Sequence, residues 1–282
     1  MHDIDGLPSR PVDVPAEVLR IAAARGVPAD GVVPVWVNAV GGLTFRLDGG
    51  AAGAAGAGGA ASAGGAAGAG AYLKWAPHGT GLDLRGEIAR LSWARRYTAV
   101  PRVLDQGVDD DARWVLTAAM PGSSAVDPRW HDDPRPAVVA AGVGLRALHD
   151  ALPVGECPFE WAVPTRIARS GASDEQIAAL GPAPSPDRIV VCHGDPCTPN
   201  TLVHDDGRWA GHVDLDALGI ADRWADIGVA TMSLGWNFGP GWEGVFLDAY
   251  GIDPDEERST WYRALWNLGD PNPPSDQSVP AA

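Results

Sequence analysis

One short polar stretch with apolar segments on both sides constrains the fold of this chain more than any other feature. The apolar run 189–192 leads into HGDPCTPN at 193–200, and a second apolar run, 201–204, follows it. After a turn signal and one more short apolar run, the chain reaches Asp214. Apolar runs of this length, separated by turn residues, predict strand, loop, strand, turn and strand. Asp195 and Asp214 are therefore expected at the ends of strands.

The residue types in this stretch are those that phosphoryl transfer requires. Moving a γ-phosphoryl group needs an oriented acceptor hydroxyl and divalent ions that neutralise the phosphate charge. Asp195 is the candidate that orients or deprotonates the hydroxyl, whereas Asn200 and Asp214 offer the oxygen ligands that Mg²⁺ prefers. The alternative is structural: His193 and Asp195 would cap a turn, and Asp214 would be a surface acid.

The motif and its surroundings resemble a known family. H-x-D-x-x-x-x-N is similar to the catalytic loop of protein kinases, although Gly194 stands where those enzymes usually have Arg. The stretch Val190–Asp226 closely resembles the 3'-phosphotransferase branch of the aminoglycoside phosphotransferase family. Segments 145–149, 157–159 and 261–263 resemble the same branch, so the similarity covers most of the chain.

The resemblance implies a fold, a cofactor and a reaction. The expected fold is α+β and bilobal, like a protein kinase, with an antiparallel sheet and one main helix in the N-terminal lobe and a larger, mainly helical C-terminal lobe. The lobes would span 1–122, ending in a hinge, and 123–270, and the Pro-rich tail 271–282 should be disordered. The implied activity is ATP-dependent and Mg²⁺-dependent phosphorylation of a hydroxyl on a small molecule, with an aminoglycoside antibiotic as the first candidate.

The N-terminal region carries candidate nucleotide contacts. Gly41 and Gly42 separate two predicted strands, and glycines there can bring backbone amides close to phosphate oxygens, although such a pair is also an ordinary hairpin turn. Lys74, on a later apolar strand, can place its ammonium on the α- and β-phosphates. A helical pattern from Leu84 carries Glu87, which could pair with Lys74 as the helix glutamate of kinases does; the alternative is a surface Glu paired with a neighbouring Arg.

Two further roles follow from the resemblance alone. The carbonyl of Ala118 and the amide of Met120 are the candidate adenine contacts in the hinge. Asp226 is expected to support the catalytic loop through backbone hydrogen bonds rather than to touch ATP.

A Gly/Ala segment interrupts the N-terminal region. Residues 49–71 are Gly and Ala with a single Ser, so they offer no large apolar side chain to offset the entropy of ordering. The segment is predicted to be a flexible insert that lengthens the loop of a strand pair. A tolerated expansion is the simpler interpretation, and a substrate-binding loop is the alternative.

Composition restricts the partners and the location. With 282 residues and 45% hydrophobic content the chain can bury a full core, and a net charge of −15 disfavours nucleic acid and anionic membranes. No apolar run approaches a membrane span, and the first residues lack the features of a signal peptide. An odd number of cysteines, three, favours reduced thiols. We therefore expect a cytoplasmic monomer.

The substrate site departs from the family pattern. Where the 3'-phosphotransferases have Gly-Arg after the metal Asp, this chain has Asp216-Ala217, and Trp266-Asn267 replace an acidic pair near the carboxyl terminus. The acidic substrate loop is shortened. Two other hypotheses stay open: a kinase of this fold for another hydroxylated compound, and a nucleotide-binding regulator without transfer, against which the three retained catalytic residues argue. The remaining acidic candidates for holding a cationic substrate are Asp216, Glu160, Asp174 and Glu175.

Overall fold

The computed structural model describes residues 8, 11–38, 40–49 and 70–269. Predictions for most of the Gly/Ala insert and for the tail 271–282 therefore fall outside the described residues. The chain forms two compact units, Met1–Ser123 with Ala210–Asp216, and Ser124–Trp209 with Ala217–Ala282. The chain thus returns to the first unit for the seven residues that include Asp214.

The first unit is built around a five-stranded antiparallel sheet in the order β1-β2-β3-β5-β4. Leu47, at the end of one strand, pairs directly with Ala71, at the start of the next, so the Gly/Ala insert connects adjacent antiparallel strands as predicted. Ala71, predicted as the last residue of the flexible insert, is instead buried in that strand. The strands are β1 (Val32–Val37), β2 (Leu43–Leu47), β3 (Ala71–Pro77), β4 (Val103–Val108) and β5 (Ala112–Ala118).

Two helices accompany this sheet. Helix α1 (Ala16–Ala23) buries Val18 and Ile21 against the apolar face that includes Phe45. Helix α2 (Leu84–Ala94) begins at Asp83, whose Oδ1 accepts a hydrogen bond from the amide of Gly86 at 3.0 Å. This N-cap satisfies one of the otherwise unpaired amides of the first turn. The predicted sheet and its main helix, α2, are therefore present, and α1 is a second, shorter helix.

The second unit is mainly helical. Helix α3 packs on α7, and α6 packs on α8, around a core that includes Leu145, Trp224 and Phe246. Among the described helices, none has both the length and the apolar character needed to cross a bilayer. The helices of this unit are α3 (Arg135–Ala151), α4 (Val163–Ser170), α5 (Asp174–Leu180), α6 (Trp224–Phe238), α7 (Glu243–Tyr250) and α8 (Glu256–Trp266).

Short strands position the polar stretch found in the sequence. Strand β7 pairs antiparallel with β10, and its last residue, Cys192, immediately precedes the loop. The predicted strand, loop, strand, turn and strand are all present, and each predicted catalytic carboxylate follows the end of a strand. The remaining strands are β6 (Ser123–Ser124), β7 (Ile189–Cys192), β8 (Thr201–Val203), β9 (Trp209–His212) and β10 (Gly219–Asp222).

Candidate active site

In the second unit, the loop after β7 brings Asp195 and Asn200 together. The side-chain Nδ2 of Asn200 donates hydrogen bonds to the backbone carbonyl of Asp195 at 3.0 Å and to its Oδ2 at 3.2 Å. The amide of Asp195 in turn donates to Nδ1 of His193 at 3.3 Å. Because Nδ2 points at Asp195, the amide oxygen of Asn200 is the atom left to bind a cation. The sequence predicted that both residues lie on one short loop, but not the hydrogen bonds between them.

Gly194 explains why this loop lacks the Arg of protein kinases. Its φ is +89°, a region that residues with a Cβ rarely adopt. A Cβ added here would also collide with the backbone carbonyl of Ala217. Both the backbone conformation and the close approach of a second chain segment therefore require Gly at this position.

Asp226 anchors the catalytic loop. It is fully buried on α6, and its Oδ2 accepts a hydrogen bond from the amide of His193 at 2.6 Å while its Oδ1 accepts one from Gly194 at 2.9 Å. Nε2 of His149 lies 2.9 Å from Oδ2. Burial alone would raise the pKa of Asp226, but the hydrogen bond and charge of His149 and the amide of Gly194 outweigh it and lower the pKa. The predicted supporting role of Asp226 is confirmed by these bonds.

The same face of α6 holds the loop a second time. Seven residues after Asp226, Ser233 accepts a hydrogen bond from the amide of Thr198 at 2.9 Å. Residues seven apart lie on one helix face, so α6 fixes both the start and the middle of the loop. Behind the anchor, Nδ1 of His149 lies 2.8 Å from the hydroxyl of Tyr250. Sequence reasoning gave no role to Ser233 or Tyr250, since no local pattern connects them to the loop.

His149, Cys192 and Asp226 form a buried cluster with ligand atoms within 4.8 Å of one another. The carboxylate of Asp226 already accepts the hydrogen bonds of the loop, and burial raises the pKa of the Cys192 thiol. A thiol that stays protonated is a poor metal ligand. The cluster is therefore a structural network and not a metal centre.

In the first unit, Lys74 lies between two carboxylates. Its Nζ donates to Oε1 of Glu87 at 2.8 Å and to Oδ1 of Asp214 at 2.7 Å. The strand lysine, the helix glutamate and the aspartate that follows β9 thus meet at one ammonium. The Lys74–Glu87 pair was predicted, whereas the ion pair with Asp214 was not. Lys74 is also the only lysine in the chain.

Charge and burial oppose each other in this group. Burial would lower the pKa of Lys74, but Asp214 and Glu87 outweigh it and hold that pKa well above its ordinary value. Burial also raises the pKa of Glu87 to about 7, with Lys74 opposing and Asp214 adding to the rise. The ammonium is therefore firmly charged, whereas burial makes the carboxyl of Glu87 easier to protonate than an ordinary glutamate.

Asp214 has the chemistry of a Mg²⁺ ligand. Its side chain is 38% exposed, against 4% for Glu87, so its carboxylate is open to solvent. Its φ is +62°, the only positive value among the described residues other than Gly. Strained conformations of this kind are common where a side chain is held for function. Its carboxylate oxygen and the amide oxygen of Asn200, each in its own unit, are both hard ligands suited to Mg²⁺.

The other nucleotide contacts predicted from the sequence would be made by backbone atoms. The amide of Gly41 donates to the carbonyl of Asn38 at 2.8 Å, and the amide of Asn38 donates to the carbonyl of Gly42 at 2.8 Å. The glycine pair therefore closes a hairpin turn, and the amide of Gly41 is already used in it. Ala118 ends β5, where its amide donates to the carbonyl of Arg102, and Met120 follows two residues later. Their contacts with adenine stay a prediction.

The four acidic substrate candidates lie in different settings. Asp174 and Glu175 form the exposed first turn of α5, where their charges favour the helix N-terminus. Glu160 is exposed, and its backbone forms an isolated β-bridge with Ile220 of β10. Asp216 belongs to the first unit, where its charge helps to raise the pKa of Glu87. The N-cap of α5 is Ser173, so Asp174 and Glu175 stabilise the helix through their charge alone.

An arginine that sequence reasoning missed lies between two indoles in the second unit. The guanidinium carbon of Arg166 is 4.5 Å from the ring centre of Trp161 and 4.9 Å from that of Trp266. Burial lowers the pKa of Arg166 to about 10, and the carboxylates of Asp226 and Asp195 oppose this shift. Arg166 therefore brings positive charge into the surroundings of Asp195.

The chain is similar in sequence to known phosphotransferases. Residues 164–262 match the "Phosphotransferase enzyme family". The aminoglycoside 3'-phosphotransferase of Streptomyces fradiae is 37% identical over 221 residues, which cover 67% of this chain and 81% of that protein. The chain belongs to the aminoglycoside phosphotransferase family. The streptomycin 3''-kinase of Streptomyces griseus is 31% identical over 271 residues, covering 84% and 96% of the two chains.

Solved structures of the aminoglycoside phosphotransferase family share the fold. The aminoglycoside phosphotransferase APH(3'')-Id from Streptomyces rimosus superimposes with a TM-score of 0.68 at 26% identity, over 92% of this chain and 99% of that one. An aminoglycoside-3'-phosphotransferase of type VIII gives 0.67 at 29% identity, over 87% and 96%. The expected kinase-like α+β fold is confirmed. The family also makes this protein a phosphotransferase enzyme.

Proposed function

We propose that this enzyme transfers the γ-phosphoryl group of ATP to a hydroxyl of an aminoglycoside antibiotic and so inactivates it. The observation that carries the proposal is the hydrogen-bonded pair Asp195 and Asn200, on a loop held by the buried Asp226. A rigid carboxylate of this kind can accept the proton of an acceptor hydroxyl as it attacks phosphorus.

The first unit supplies the charges that a nucleotide needs. Lys74 is firmly protonated and already paired with two carboxylates, so it can bind the α- and β-phosphates of ATP while Glu87 keeps its position. Mg²⁺ would neutralise the phosphate charge, with Asp214 and Asn200 as its protein ligands. A relative in this family, from Streptomyces rimosus, is known in complex with ADP and streptomycin, which supports ATP as the donor.

Aminoglycosides are the first substrate class. The relative from Streptomyces fradiae, which is 37% identical, is named an aminoglycoside 3'-phosphotransferase. The net charge of −15 on this chain also favours a cationic acceptor. Exposed ion pairs are worth about 0–1 kcal/mol each, so several acidic side chains would have to act together.

One observation favours a second candidate, a hydroxylated compound with few ammonium groups. Arg166 lies between Trp161 and Trp266, where its charge repels ammonium groups and the indoles favour apolar surface. Asp174 and Glu175 lie in the exposed first turn of α5, where their charges also favour the helix N-terminus.

A substrate panel tests the two candidates. The purified enzyme with MgATP is incubated with 2-deoxystreptamine aminoglycosides, streptomycin and neutral hydroxylated antibiotics, and the mass gain of one phosphate is measured. Turnover of aminoglycosides that weakens with salt is expected. Turnover confined to neutral compounds and insensitive to salt would select the second candidate, and no turnover of any compound would contradict the proposed activity.

We propose further that the enzyme works as a cytoplasmic monomer without nucleic-acid or membrane partners. Its strong negative charge supports this, because it repels polyanions and anionic lipid surfaces. Sedimentation of the pure protein at micromolar concentration should give the mass of one chain.

A further inference from the structure

A groove in the first unit has no part in the proposed reaction. It has a volume of about 260 Å³ and lies between the start of α2 and the strands β4 and β5. Its apolar wall includes Ile88, Val108 and Trp114, and two cationic residues, Arg85 and Arg113, also line it. Val108 is 55% exposed, so the groove is open to solvent.

The indole of Trp114 forms a platform whose position depends on one glycine. Gly107 and Trp114 are cross-strand partners in the β4–β5 pair. A Cβ added at Gly107 would overlap three atoms of that indole. The φ of Gly107 is not positive, so its backbone does not require Gly. The absence of a side chain here is what allows the indole to lie against the backbone.

The two arginines at the groove are available for a ligand. Within the described residues, the side chains of Arg85 and Arg113 make no hydrogen bond or ion pair, although the chain has a large excess of acids. Elsewhere in the same unit, Arg25 and Arg46 are paired with Asp105 and with Asp48. Guanidinium groups beside apolar surface suit a carboxylate attached to a ring or chain.

We propose that this groove binds a small amphipathic carboxylate, with its apolar body on Trp114 and Ile88 and its carboxylate on Arg85 and Arg113. The size supports this class, since 260 Å³ is below the usual range for drug-sized ligands. The charge supports it as well, since a neutral or cationic compound would leave two guanidinium groups without a partner.

Binding in this groove should change nucleotide affinity. The groove contacts α2 at Leu84, Arg85 and Ile88, and the same turn carries Glu87, whose carboxylate accepts the hydrogen bond of Lys74. A ligand that stabilises this position of α2 therefore favours the state in which Lys74 is held, and by linkage a nucleotide strengthens the binding of the carboxylate by the same factor. This step rests on the proposed nucleotide role of Lys74, whereas the binding step does not.

The experiment is isothermal titration of the full-length protein with 1-naphthoate, and with 1-naphthamide as the uncharged control. We expect binding of the carboxylate and at least about tenfold weaker binding of the amide, because hydrogen bonds to charged groups carry most of the difference. Saturating MgADP should strengthen the binding of 1-naphthoate. Displacement by MgADP would instead locate the probe in the nucleotide site and overturn the proposal.

Matched variants locate the site. Arg85→Gln and Arg113→Gln should each weaken 1-naphthoate binding about tenfold, and Gly107→Ala should weaken it by displacing the indole. Arg95→Gln, an exposed arginine just past the other end of α2, should bind as the parent does. No binding by the parent protein, or an equal loss in Arg95→Gln, would overturn the proposal. All four variants should retain phosphoryl transfer without the probe, so a failure here is distinct from a failure of the proposed activity.

Discussion

The two units hold their functional side chains in opposite ways. In the first unit, Lys74 and Asp214 are joined by an ion pair and have side chains 25% and 38% exposed. In the second unit, the side chains of Asp226 and His149 are completely buried, and Asp226 acts through bonds to the backbone amides of the loop. The ion-paired group of the first unit is therefore open to solvent, whereas the hydrogen-bonded group of the second unit is closed to it.

This difference matches two different chemical tasks. In the proposed reaction, phosphate and Mg²⁺ can reach Lys74 and Asp214 and replace one partner with another, because both side chains are partly exposed. A buried carboxylate with several donors is costly to disturb, so Asp226 keeps the loop that carries Asp195 in one position. The binding group can therefore reorganise, whereas the catalytic loop cannot.

The largest loss of turnover is expected from Asp195→Asn, which changes the loop of the second unit. Turnover should fall by about 10²–10⁴-fold, the range typical of a positioned acid or base, while the thermal midpoint and nucleotide affinity stay unchanged. Single-turnover kinetics with the identified substrate measure this. Asp206→Asn, in the exposed turn after β8, is the control and should keep full activity. Near-native turnover by Asp195→Asn would exclude the assigned role.

Asp226→Asn tests the closed arrangement. The free energy of unfolding should fall by about 3–5 kcal/mol, as when one partner of a buried pair is removed, and turnover should fall with it. Asp222→Asn removes another buried carboxylate that accepts backbone amides but does not touch the loop. It should lose stability without the same loss of turnover at a temperature where both variants are folded. Equal losses of turnover would mean that Asp226 acts only through stability.

The lowered pKa of Asp226 also has a pH consequence. A carboxyl whose pKa is lower in the folded state contributes stability above its ordinary value, 3.8, and loses it as the pH falls through the folded-state pKa. Urea unfolding should therefore show that the difference between the parent and Asp226→Asn shrinks below about pH 4. A difference independent of pH would contradict the ionised form of this carboxyl.

Lys74 and Asp214 test the open arrangement, with a smaller effect. Lys74→Ala should weaken MgATP binding by about tenfold or more, the value of a hydrogen bond between charged groups. Asp214→Ala should raise the Mg²⁺ concentration needed for turnover. Isothermal titration with MgATP measures the first change, and turnover as a function of Mg²⁺ concentration measures the second. MgATP affinity unchanged in Lys74→Ala, or Mg²⁺ dependence unchanged in Asp214→Ala, would contradict these assignments.

The smallest effect is expected from replacing residues 50–69 with a short turn. Leu47 and Ala71 are already paired across the two strands, and loop-closure entropy changes only slowly with loop length. The thermal midpoint should be equal or slightly higher. Loss of folding would show that the segment is ordered, and loss of substrate affinity alone would make it a lid.

Local patterns in the sequence were sufficient to predict the strands around Asp195 and Asp214, since apolar runs and turn residues act over a few neighbouring positions. The spacing of Asp195 and Asn200 placed both residues on one short loop, but it did not predict the hydrogen bonds between them. Lys74 and Glu87 are separated by a strand end and a helix start, and their pairing could be predicted only through the resemblance to kinases. Much of the fold and the central residues of the candidate site could therefore be predicted from the sequence.

Tertiary structure decided the contacts between distant positions. His149 and Asp226 are 77 residues apart, and Lys74 and Asp214 are 140 apart. Arg166 stacks on a tryptophan near it in sequence and on a second, Trp266, that only folding brings close. No periodicity records such pairs, because the packing of whole helices and sheets determines which side chains meet. The sequence by itself thus determined the chemical groups, and the fold decided how each is held and charged.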